Sequence, residues 1–573
     1  MLEPRWQSDG ECGGYYRIET DLPPVEYTCM ARRMALDHWC IDSDSIRRSG
    51  DDGDGRLDAL TFLLEVRERL GIDPAMLPEY LEEVTATLYA SAYKCSRTAP
   101  SARQLIDADF QAVEAAMTEG HPAFVANSGR IGFDAVEYRR YAPETGHAFQ
   151  LIWLAGHRER LAFAFSQDLD YESLIERELA GEEIARFHEL LTARDLNPGD
   201  YRLIPVHPWQ WYNKLAHVFA PELASGRLVC LGPGADSYQP QQSIRTLFNR
   251  TRSQRCYVKT ALSVLNMGFM RGLSPDYMSS TPPINDWVHQ LIESDPELGE
   301  AGFAVLREVA AAGYRHPLYE EAAEKGSPYR KMLAALWRES PMERVTSEQR
   351  LMTMAALLHR DADGGTVAGE LIHASGLAAE AWLDRYLRAY LRPLLHCFYR
   401  HDLVFMPHGE NLILVLEDSV PVRCFMKDVG EEVAVMDPDA SLPEEVQRIA
   451  VHVPEELKIL SLFTDIFDYF FRYLAAILVD VGQCTEQAFW DRVAHCVDAY
   501  RQDHPELAER FARHDLFAPQ FRRSCMNRLQ FANNRQLIDL ADPTRTLQFA
   551  GTLDNPISTR EPEARTADCS TVS

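Results

Sequence analysis

The run Pro407-His408-Gly409-Glu410-Asn411-Leu412-Ile413-Leu414-Val415-Leu416-Glu417-Asp418-Ser419-Val420-Pro421-Val422-Arg423-Cys424-Phe425-Met426-Lys427-Asp428 carries two β-rich segments, 412–416 and 422–426, around a turn-forming Asp418-Ser419. This pattern predicts a β-hairpin. With the turn centred between Ser419 and Val420, Asn411 and Asp428 lie equally far from it and face each other at the open end of the ladder. An amide oxygen beside a carboxylate, with His408 and Glu410 just upstream, is a donor set suited to a Mg²⁺–triphosphate clamp. The competing reading is a hairpin with a merely polar approach loop.

Working outward, 573 residues exceed one ordinary core and predict about two to four domains. Hydrophobic content of 46% and charged content of 25% are those of a soluble globular chain. The formal net charge of −28, from 86 acids against 58 Lys plus Arg, argues against nucleic acid as a partner. It suits a cationic substrate such as an amine, although solubility alone also accounts for it. The 12 cysteines include no CxxC pair, which speaks against a structural zinc site and a thioredoxin-like site. Met1–Trp6 shows no apolar signal core. The apolar segment Phe463–Val479 is broken by Asp465, Asp468 and Arg472, so no membrane span is expected. A cytoplasmic protein with reduced thiols is the expectation.

Along the chain, residues 1–24 read as loose and the pattern from Pro24 to Thr118 as helical. One apolar face joins Leu60, Phe62, Leu63, Leu64, Val66 and Leu70, and another joins Tyr80, Leu81, Val84, Leu88 and Tyr89. The acidic stretch Gly50–Asp58 lacks the first and last ligands of a calcium loop and reads as a solvated loop. Composition changes at Gly120-His121-Pro122, and β-rich runs such as Phe149–Leu154 and Arg202–Val206 follow. From 346 onward long helices return, including Glu380–His401 with Pro393 expected to kink it. The hairpin is followed by further helices to about 536 and a polar tail after Pro562. The expected division is an N-terminal helical part over 1–118, an α+β part over 119–350 and a mainly helical part over 351–573.

A second hairpin is expected in the middle part, where Ser243–Phe248 and Cys256–Thr260 enclose the polar turn Asn249–Arg255. Centring that turn on Arg252 pairs Arg245 with Lys259, and period two puts Ser243 on the face of Arg245. Facing like charges cost stability unless an anion lies between them, and a polyphosphate would serve. A solvent-exposed basic strand pair is the bland alternative. Arg271, flanked by Gly268 and Gly272, could deliver another guanidinium. His121 and His207 each precede proline and so lie on extended or turn backbone, with a packing role the simpler reading for His207 beside Trp209 and Trp211. No G-x-x-x-x-G-K-[ST] loop, G-x-S-x-G elbow or H-E-x-x-H helix occurs. The residues thus describe an ATP-using enzyme outside the P-loop class, with phosphate transfer and carboxylate adenylation both open.

Gly120-His121-Pro122, His207-Pro208-Trp209-Gln210, Ser243-x-Arg245-Thr246 with Lys259 and Arg271, and His408-Gly409-x-Asn411 with Asp428 occur in that order. In this combination the chain resembles the siderophore synthetases that work without a peptide-synthetase assembly line, the IucA/IucC superfamily. The resemblance runs from about residue 24 to Ile557 and includes Ser524–Gln530 and Leu553-Asp554-Asn555-Pro556. It implies an α+β fold shaped as a three-part cupped hand, with a helical thumb, α+β fingers and a mainly helical palm. It also implies adenylation of a carboxylate by ATP with Mg²⁺, transfer of the acyl group to an amine or hydroxyl, and a homodimer.

By the same resemblance Ser243, Arg245, Thr246 and Lys259 hold the nucleotide phosphates. His408, Asn411 and Asp428, with Glu410, complete the ATP and metal site, and Arg271 reaches the carboxylate. His408 or His121 is the candidate base. Citrate-activating members are expected to carry a second His-Pro and a Lys after the first motif, where this chain has Phe124-Val125 and Ser128. That departure resembles the desferrioxamine-type and alcaligin-type synthetases, which join N-hydroxy-N-succinyl-diamine units through amide bonds. Activation of citrate or 2-oxoglutarate, a small-molecule kinase and a non-catalytic iron–siderophore binding protein are the rival readings.

Overall fold

The structure is a computed structural model and describes residues 5–8, 14–50, 56–117, 120–532 and 549–558. The architecture is α+β. Its first element corrects the expectation of a loose start followed by helices. Arg5–Ser8, Gly14–Glu19, Glu26–Met34, His38–Ile41 and Arg47–Ser49 form a five-stranded antiparallel sheet. The reason lies in the alternation of Tyr27, Cys29 and Ala31, all buried, with Cys29 and Ala31 packed beside Tyr16 and Trp39 and Tyr27 against Phe62. A helical reading overlooks this period-two signal because its apolar members are small and few. The central part of the acidic loop, 51–55, lies outside the described residues, as do the 118/119 boundary and the tail after Pro562.

Two helices follow, Ala59–Leu70 and Leu77–Cys95. Asp58 caps the first by accepting the Thr61 N–H at 2.7 Å, and Gly71 ends it in the left-handed region. Leu63, Tyr80 and Val84 pack into one cluster with Ala126 and Phe531, whereas Leu64, Leu88 and Tyr89 point outward. The apolar stripes were thus narrower than expected.

The middle of the chain builds an eight-stranded antiparallel sheet. Its order is Leu161–Phe165, Glu308–Tyr314, Ala334–Arg338, Tyr257–Thr260, Thr246–Asn249, Leu228–Pro240, Phe149–His157 and Tyr201–Val206. Helix Gly181–Thr192 covers one face, with Phe187 and Leu191 buried among Trp153, Leu203 and Val258. The expected hairpin is present, but its register differs by one residue. Thr246 pairs with Lys259, and the Arg245 carbonyl accepts the Thr260 N–H at 2.9 Å. Arg245 and Lys259 are therefore not directly opposed. Ser243 does not share a strand face with Arg245 either, because Ile244 between them adopts φ 57° and the strand begins only at Thr246.

The quoted hairpin comprises Leu412–Glu417 and Val420–Met426, between Gln349–Thr353 and the short parallel strand Ala304–Val305. Asp418 and Ser419 both have positive φ, 49° and 65°, the tight two-residue turn that matches strand twist. The turn closes on Asp418-Ser419, with Glu417 opposite Val420, one position earlier than the expected centre. A bulge beside Val415/Leu416 recovers only part of that offset, so Lys427 rather than Asp428 lies across from Asn411 and donates its N–H to the Asn411 carbonyl at 2.9 Å. Helix Ala379–His401 runs against this sheet and keeps Leu383, Tyr386, Leu387, Tyr390, Leu391, Leu394, Leu395 and Phe398 in the largest core. Helices Arg472–Asp480 and Glu486–Asp503 share that core. Near the end, Gln520–Ser524 pairs with Phe549–Asp554, so the last part is not helical throughout.

One chain segment ties the two sheets together. Ala304–Val305 belongs to the hairpin sheet, the Leu306 N–H donates to the Met426 carbonyl at 2.9 Å, and Glu308–Tyr314 enters the eight-stranded sheet. The ends of both hairpins are thereby held face to face.

The turn gives a test of this hairpin. The Ser419 carbonyl accepts the Trp382 indole N–H at 2.9 Å, so the turn is anchored and cannot relax freely. Ser419→Gly should raise the unfolding midpoint, because left-handed backbone costs a non-glycine residue about 1 kcal/mol. Ser419→Val should lower it. Thermal or urea unfolding that does not rank Gly above Ser above Val would reject this turn geometry.

Candidate active site

The site grows from one face of the eight-stranded sheet. Thr246 lies opposite Lys259, Arg338 is two residues beyond the partner of Lys259, and Glu308 lies opposite Arg338. Period two puts these polar side chains on a common face. Asp428 meets them from the other sheet. It leaves the hairpin strand in the left-handed conformation, φ 60°, which redirects its carboxylate away from the ladder.

Lys259 Nζ donates to Asp428 Oδ1 at 2.8 Å and to Glu431 Oε2 at 2.5 Å. Arg338 Nη1 donates to Asp428 Oδ1 at 3.1 Å, and its guanidinium lies 4.9 Å from the Tyr257 ring centre. Burial opposes the Lys259 ammonium, yet Asp428 and Glu431 outweigh that and raise it above the usual lysine range. Burial likewise opposes the Asp428 carboxylate, but Lys259, Arg338 and Lys427 hold it far below the usual carboxylate range. Glu431, pushed up by burial, is drawn down to about 2 by Lys259 and Arg245. For Glu432, burial and the charge of Asp428 outweigh Lys259 and push it up to about 8.

Arg245 donates to the Gly272 carbonyl at 2.6 Å and to Glu431 Oε2 at 3.2 Å. Arg271 follows the small hairpin Leu265–Asn266 and Phe269–Met270, whose turn uses positive φ at Met267 and Gly268. Its guanidinium donates to Asn266 Oδ1 at 3.1 Å, and Glu83 accepts the Gly268 N–H at 2.9 Å. Burial and Arg245 together lower Arg271 to about 10. Glu114 fixes the preceding loop by accepting the Gln242 N–H at 3.0 Å. Ser243 contributes its carbonyl, which accepts the Arg245 N–H at 2.7 Å.

On the far side, His121 is buried and His408 half-buried, with ring centres 4.6 Å apart. His121 Nδ1 accepts the Ala123 N–H at 3.1 Å, and burial and Arg271 bring this imidazole down to about 4. Burial, His121 and Lys427 hold His408 well below the usual histidine range. The next residue must be small: a Cβ at Gly409 would lie 2.7 Å from the Phe470 ring and 2.8 Å from Ala355 Cα. Asn411 Nδ2 donates to the Met406 carbonyl at 3.0 Å and to Glu432, which leaves its Oδ1 for a ligand. Burial raises Glu410 and lowers Lys427, whose charges lie near each other.

The structure thus brings Arg245, Thr246, Lys259, Arg271, His121, His408, Glu410, Asn411 and Asp428 to one region. The Ser243 side chain has no described bond there. His207 is a packing residue, fully buried between Tyr141 and Phe149, and its Nδ1 accepts the Trp209 N–H at 3.0 Å. The sequence reading missed Glu308, Arg338, Lys427, Glu431 and Glu432. Asp428-Val429-Gly430-Glu431-Glu432 carried a usable signal, since acids just after a metal-type aspartate belong to the same turn.

The donor set is rich in both charges. Arg245 Nε, Arg271 Nε, Arg338 Nε, Thr246 Oγ1 and His408 Nδ1 are buried without a hydrogen-bond partner. Such orphaned atoms fit a ligand that offers acceptors, as a triphosphate does. The oxygens of Asp428, Glu431, Glu432 and Asn411 fit a hard divalent cation. Glu431 Oε2 accepts from both Lys259 and Arg245.

A model described as the IucA / IucC family matches residues 109–359, and one described as a ferric iron reductase FhuF-like transporter matches residues 380–539. Putrebactin synthase of Shewanella sp. (strain MR-4) is 50% identical over 96% of this chain and 87% of its own length. The rhizobactin siderophore biosynthesis protein RhbF of Rhizobium meliloti is 32% identical over 95% of this chain and 91% of its own. Among solved structures, aerobactin synthetase IucC of Klebsiella pneumoniae matches with a TM-score of 0.83 at 29% identity, over 96% of this chain and 94% of that one. No described helix is long and apolar enough to cross a membrane. The chain belongs to the IucA/IucC family of siderophore synthetases, ATP-dependent ligases that form amide bonds.

Proposed function

We propose that this enzyme activates the succinyl carboxylate of an N-hydroxy-N-succinyl-diamine with ATP and condenses it with the amine of a second unit. The observation that carries the reading is the 2.8 Å contact of Lys259 with Asp428, which joins phosphate-type cations and metal-type oxygens in one buried site. Arg245, Thr246 and Lys259, with Ser243 beside them, would hold the triphosphate. His408, Asn411 and Asp428, joined by Glu410, would complete the nucleotide and Mg²⁺ site. Bound there, Mg²⁺ would neutralise charge developing on the departing pyrophosphate.

The carboxylate attacks the α-phosphorus, the bond to pyrophosphate breaks, and an acyl adenylate results. The amine then attacks the acyl carbon, AMP leaves, and the amine proton passes to a base. Arg271 is aimed to orient the carboxylate and offset its charge. His121 and His408 are neutral and able to take the proton, and the orphaned Nδ1 makes His408 the nearer candidate.

The substrate class is supported by the surroundings of His121. Phe124 packs 5.5 Å from that ring and clusters with Ala123, Met267 and Tyr469, with Phe269 against it. An apolar wall there suits a methylene chain bearing one carboxylate better than it suits citrate. The relative named putrebactin synthase supports the same class.

Pyrophosphate release across citrate, 2-oxoglutarate, succinate and N-hydroxy-N-succinyl-putrescine or -cadaverine tests the reading. The last pair should be preferred, with AMP rather than ADP as the nucleotide product. A preference for citrate would overturn the substrate class, and ADP formation would overturn adenylation. Arg245→Ala should slow pyrophosphate release about 30- to 1000-fold, a loss of about 2–4 kcal/mol of transition-state stabilisation. A rate within about threefold of wild type would reject its phosphate role.

Glu432 adds a pH prediction. Its carboxyl, raised to about 8, is protonated at neutral pH in the free enzyme, whereas a divalent cation takes the carboxylate. Mg²⁺·ATP binding near pH 7 should therefore release a proton and tighten as pH rises toward about 8. Calorimetry in two buffers of different ionisation enthalpy measures that proton. Glu432→Gln should abolish its release, and unchanged release would remove Glu432 from the cation site.

A further inference from the structure

A second cluster of chemically capable side chains lies where the C-terminal turn of helix Ala379–His401 meets the start of the short helix Pro296–Glu300. Asp295 precedes that short helix, and its two oxygens have separate tasks. Oδ1 accepts the N–H groups of Glu297 and Leu298 at 3.0 and 3.1 Å. Oδ2 turns the other way, 3.1 Å from His396 Nε2 and 2.9 Å from His401 Nε2. His396 Nδ1 lies 3.0 Å from the Tyr500 hydroxyl. Beside these sit Glu297 and His504, with His504 Nε2 3.5 Å from Glu297 Oε2. Asp295, His396 and His401 form one group whose ligand atoms all lie within 4.8 Å of one another, and Glu297, His396 and His504 form another.

We propose that Asp295, His396 and His401 form a binding site for a divalent transition ion of the zinc type, with Glu297 and His504 as neighbouring donors. Ligand atoms about 2.0–2.2 Å from a tetrahedral ion stand about 3.3–3.6 Å from one another. The observed separations of 2.9 and 3.1 Å need only a small expansion to reach that spacing. The donor set of two imidazole nitrogens and a carboxylate oxygen suits zinc better than magnesium or calcium, which take oxygen ligands.

The proton balance also works. A His396 whose Nε2 takes the ion carries its proton on Nδ1 and donates it to the Tyr500 oxygen, the outer contact that fixes a metal-bound histidine. His401 likewise moves its proton to Nδ1.

The surroundings favour a cation. His401 is the last residue of a 23-residue helix, whose unpaired carbonyl end carries partial negative charge. The charge of Arg392 is already engaged by Glu297 at 2.7 Å and Asp503 at 2.8 Å, and Arg388 faces Glu300 at 3.3 Å. Glu297, Arg392 and His504 border a cavity of about 580 Å³ beside the cluster, and the His401 side chain is itself partly exposed to solvent. An ion here would pin the end of the long helix just before the chain enters the loop bearing His408 and Asn411.

The test uses the full chain, stripped with a chelator and titrated with Zn²⁺ against a chromogenic competitor without ATP or magnesium. Wild type should take up one equivalent with a micromolar or lower Kd, and its unfolding midpoint should rise with Zn²⁺. His401→Ala should weaken this uptake at least about 10-fold while leaving the circular dichroism and the zinc-free pyrophosphate release unchanged. Asp295→Asn keeps the Oδ1 acceptor that caps the short helix and should weaken uptake similarly, which guards against a folding defect in the first variant. Co²⁺ in place of Zn²⁺ should give the visible absorption of a four-coordinate site in wild type alone. Equal Zn²⁺ uptake by all three proteins, or no uptake tighter than about 100 μM by wild type, would overturn the proposal.

Discussion

The buried contact of Lys259 with Asp428 is the constraint around which the rest is arranged. Two charges taken out of water lose several kcal/mol each, and their mutual attraction recovers that only with good geometry and further hydrogen bonds. Here Arg338 gives Asp428 a second donor and Glu431 gives Lys259 a second acceptor. Arg245 is then drawn to Glu431, and Arg271 to the neighbourhood of Glu410 and Glu432. Such a network is weak evidence for stability. Its value is that cations and oxygens are already desolvated and aimed before a substrate arrives, which is where electrostatic catalysis gains most.

That arrangement needs two sheets held at a fixed separation, and the segment from Ala304 to Tyr314 does this. It pairs with Phe425 and Met426 at one end and with Arg338 and its neighbours at the other. Between them Glu308, opposite Arg338, accepts the Gly430 N–H at 3.1 Å. A side chain at position 430 would press into Thr281, with its Cβ 2.6 Å from Thr281 Cγ2, so glycine permits the close approach of the turn that carries Glu431 and Glu432. The turns that carry Arg245, Asp428 and Glu431 therefore spring directly from paired strands on both sides.

Much of this was legible in the sequence where a short-range rule applies. The Asp418-Ser419 turn, the long helix through His401 and the polar turn after Asn249 each announce themselves within a few residues. Register was not legible. The turn closes one residue earlier than its composition suggests and a bulge then makes up only part of the difference, so Asn411 came to face Lys427 instead of Asp428. The positive φ at Ile244 and Asp428 likewise turns side chains in ways no alternation rule anticipates. Asp428 reaches the site because it leaves the strand, whereas the sequence argument had it facing Asn411 within one. Partners remote in sequence were hidden for another reason: Glu308 and Arg338 sit in strands whose apolar neighbours dominate the pattern. The resemblance located most of the candidate site residues, and the structure supplied their counter-charges.

The counter-charges bear on how the enzyme meets its substrate. Glu431 holds the positions on Lys259 and Arg245 that a phosphate oxygen would take, so the protein carries its own anion while no nucleotide is bound. Without it Arg245 would lose its carboxylate partner, and Lys259 would keep only Asp428, which it shares with Arg338. Displacing Glu431 would cost its two charge-assisted hydrogen bonds, which the proposed triphosphate would have to replace. The freed carboxylate would then lie beside Asp428 and the protonated Glu432, where the two charges repel one another unless a divalent cation joins them. Nucleotide and metal would accordingly favour each other's binding, since each relieves the charge imbalance that the other creates.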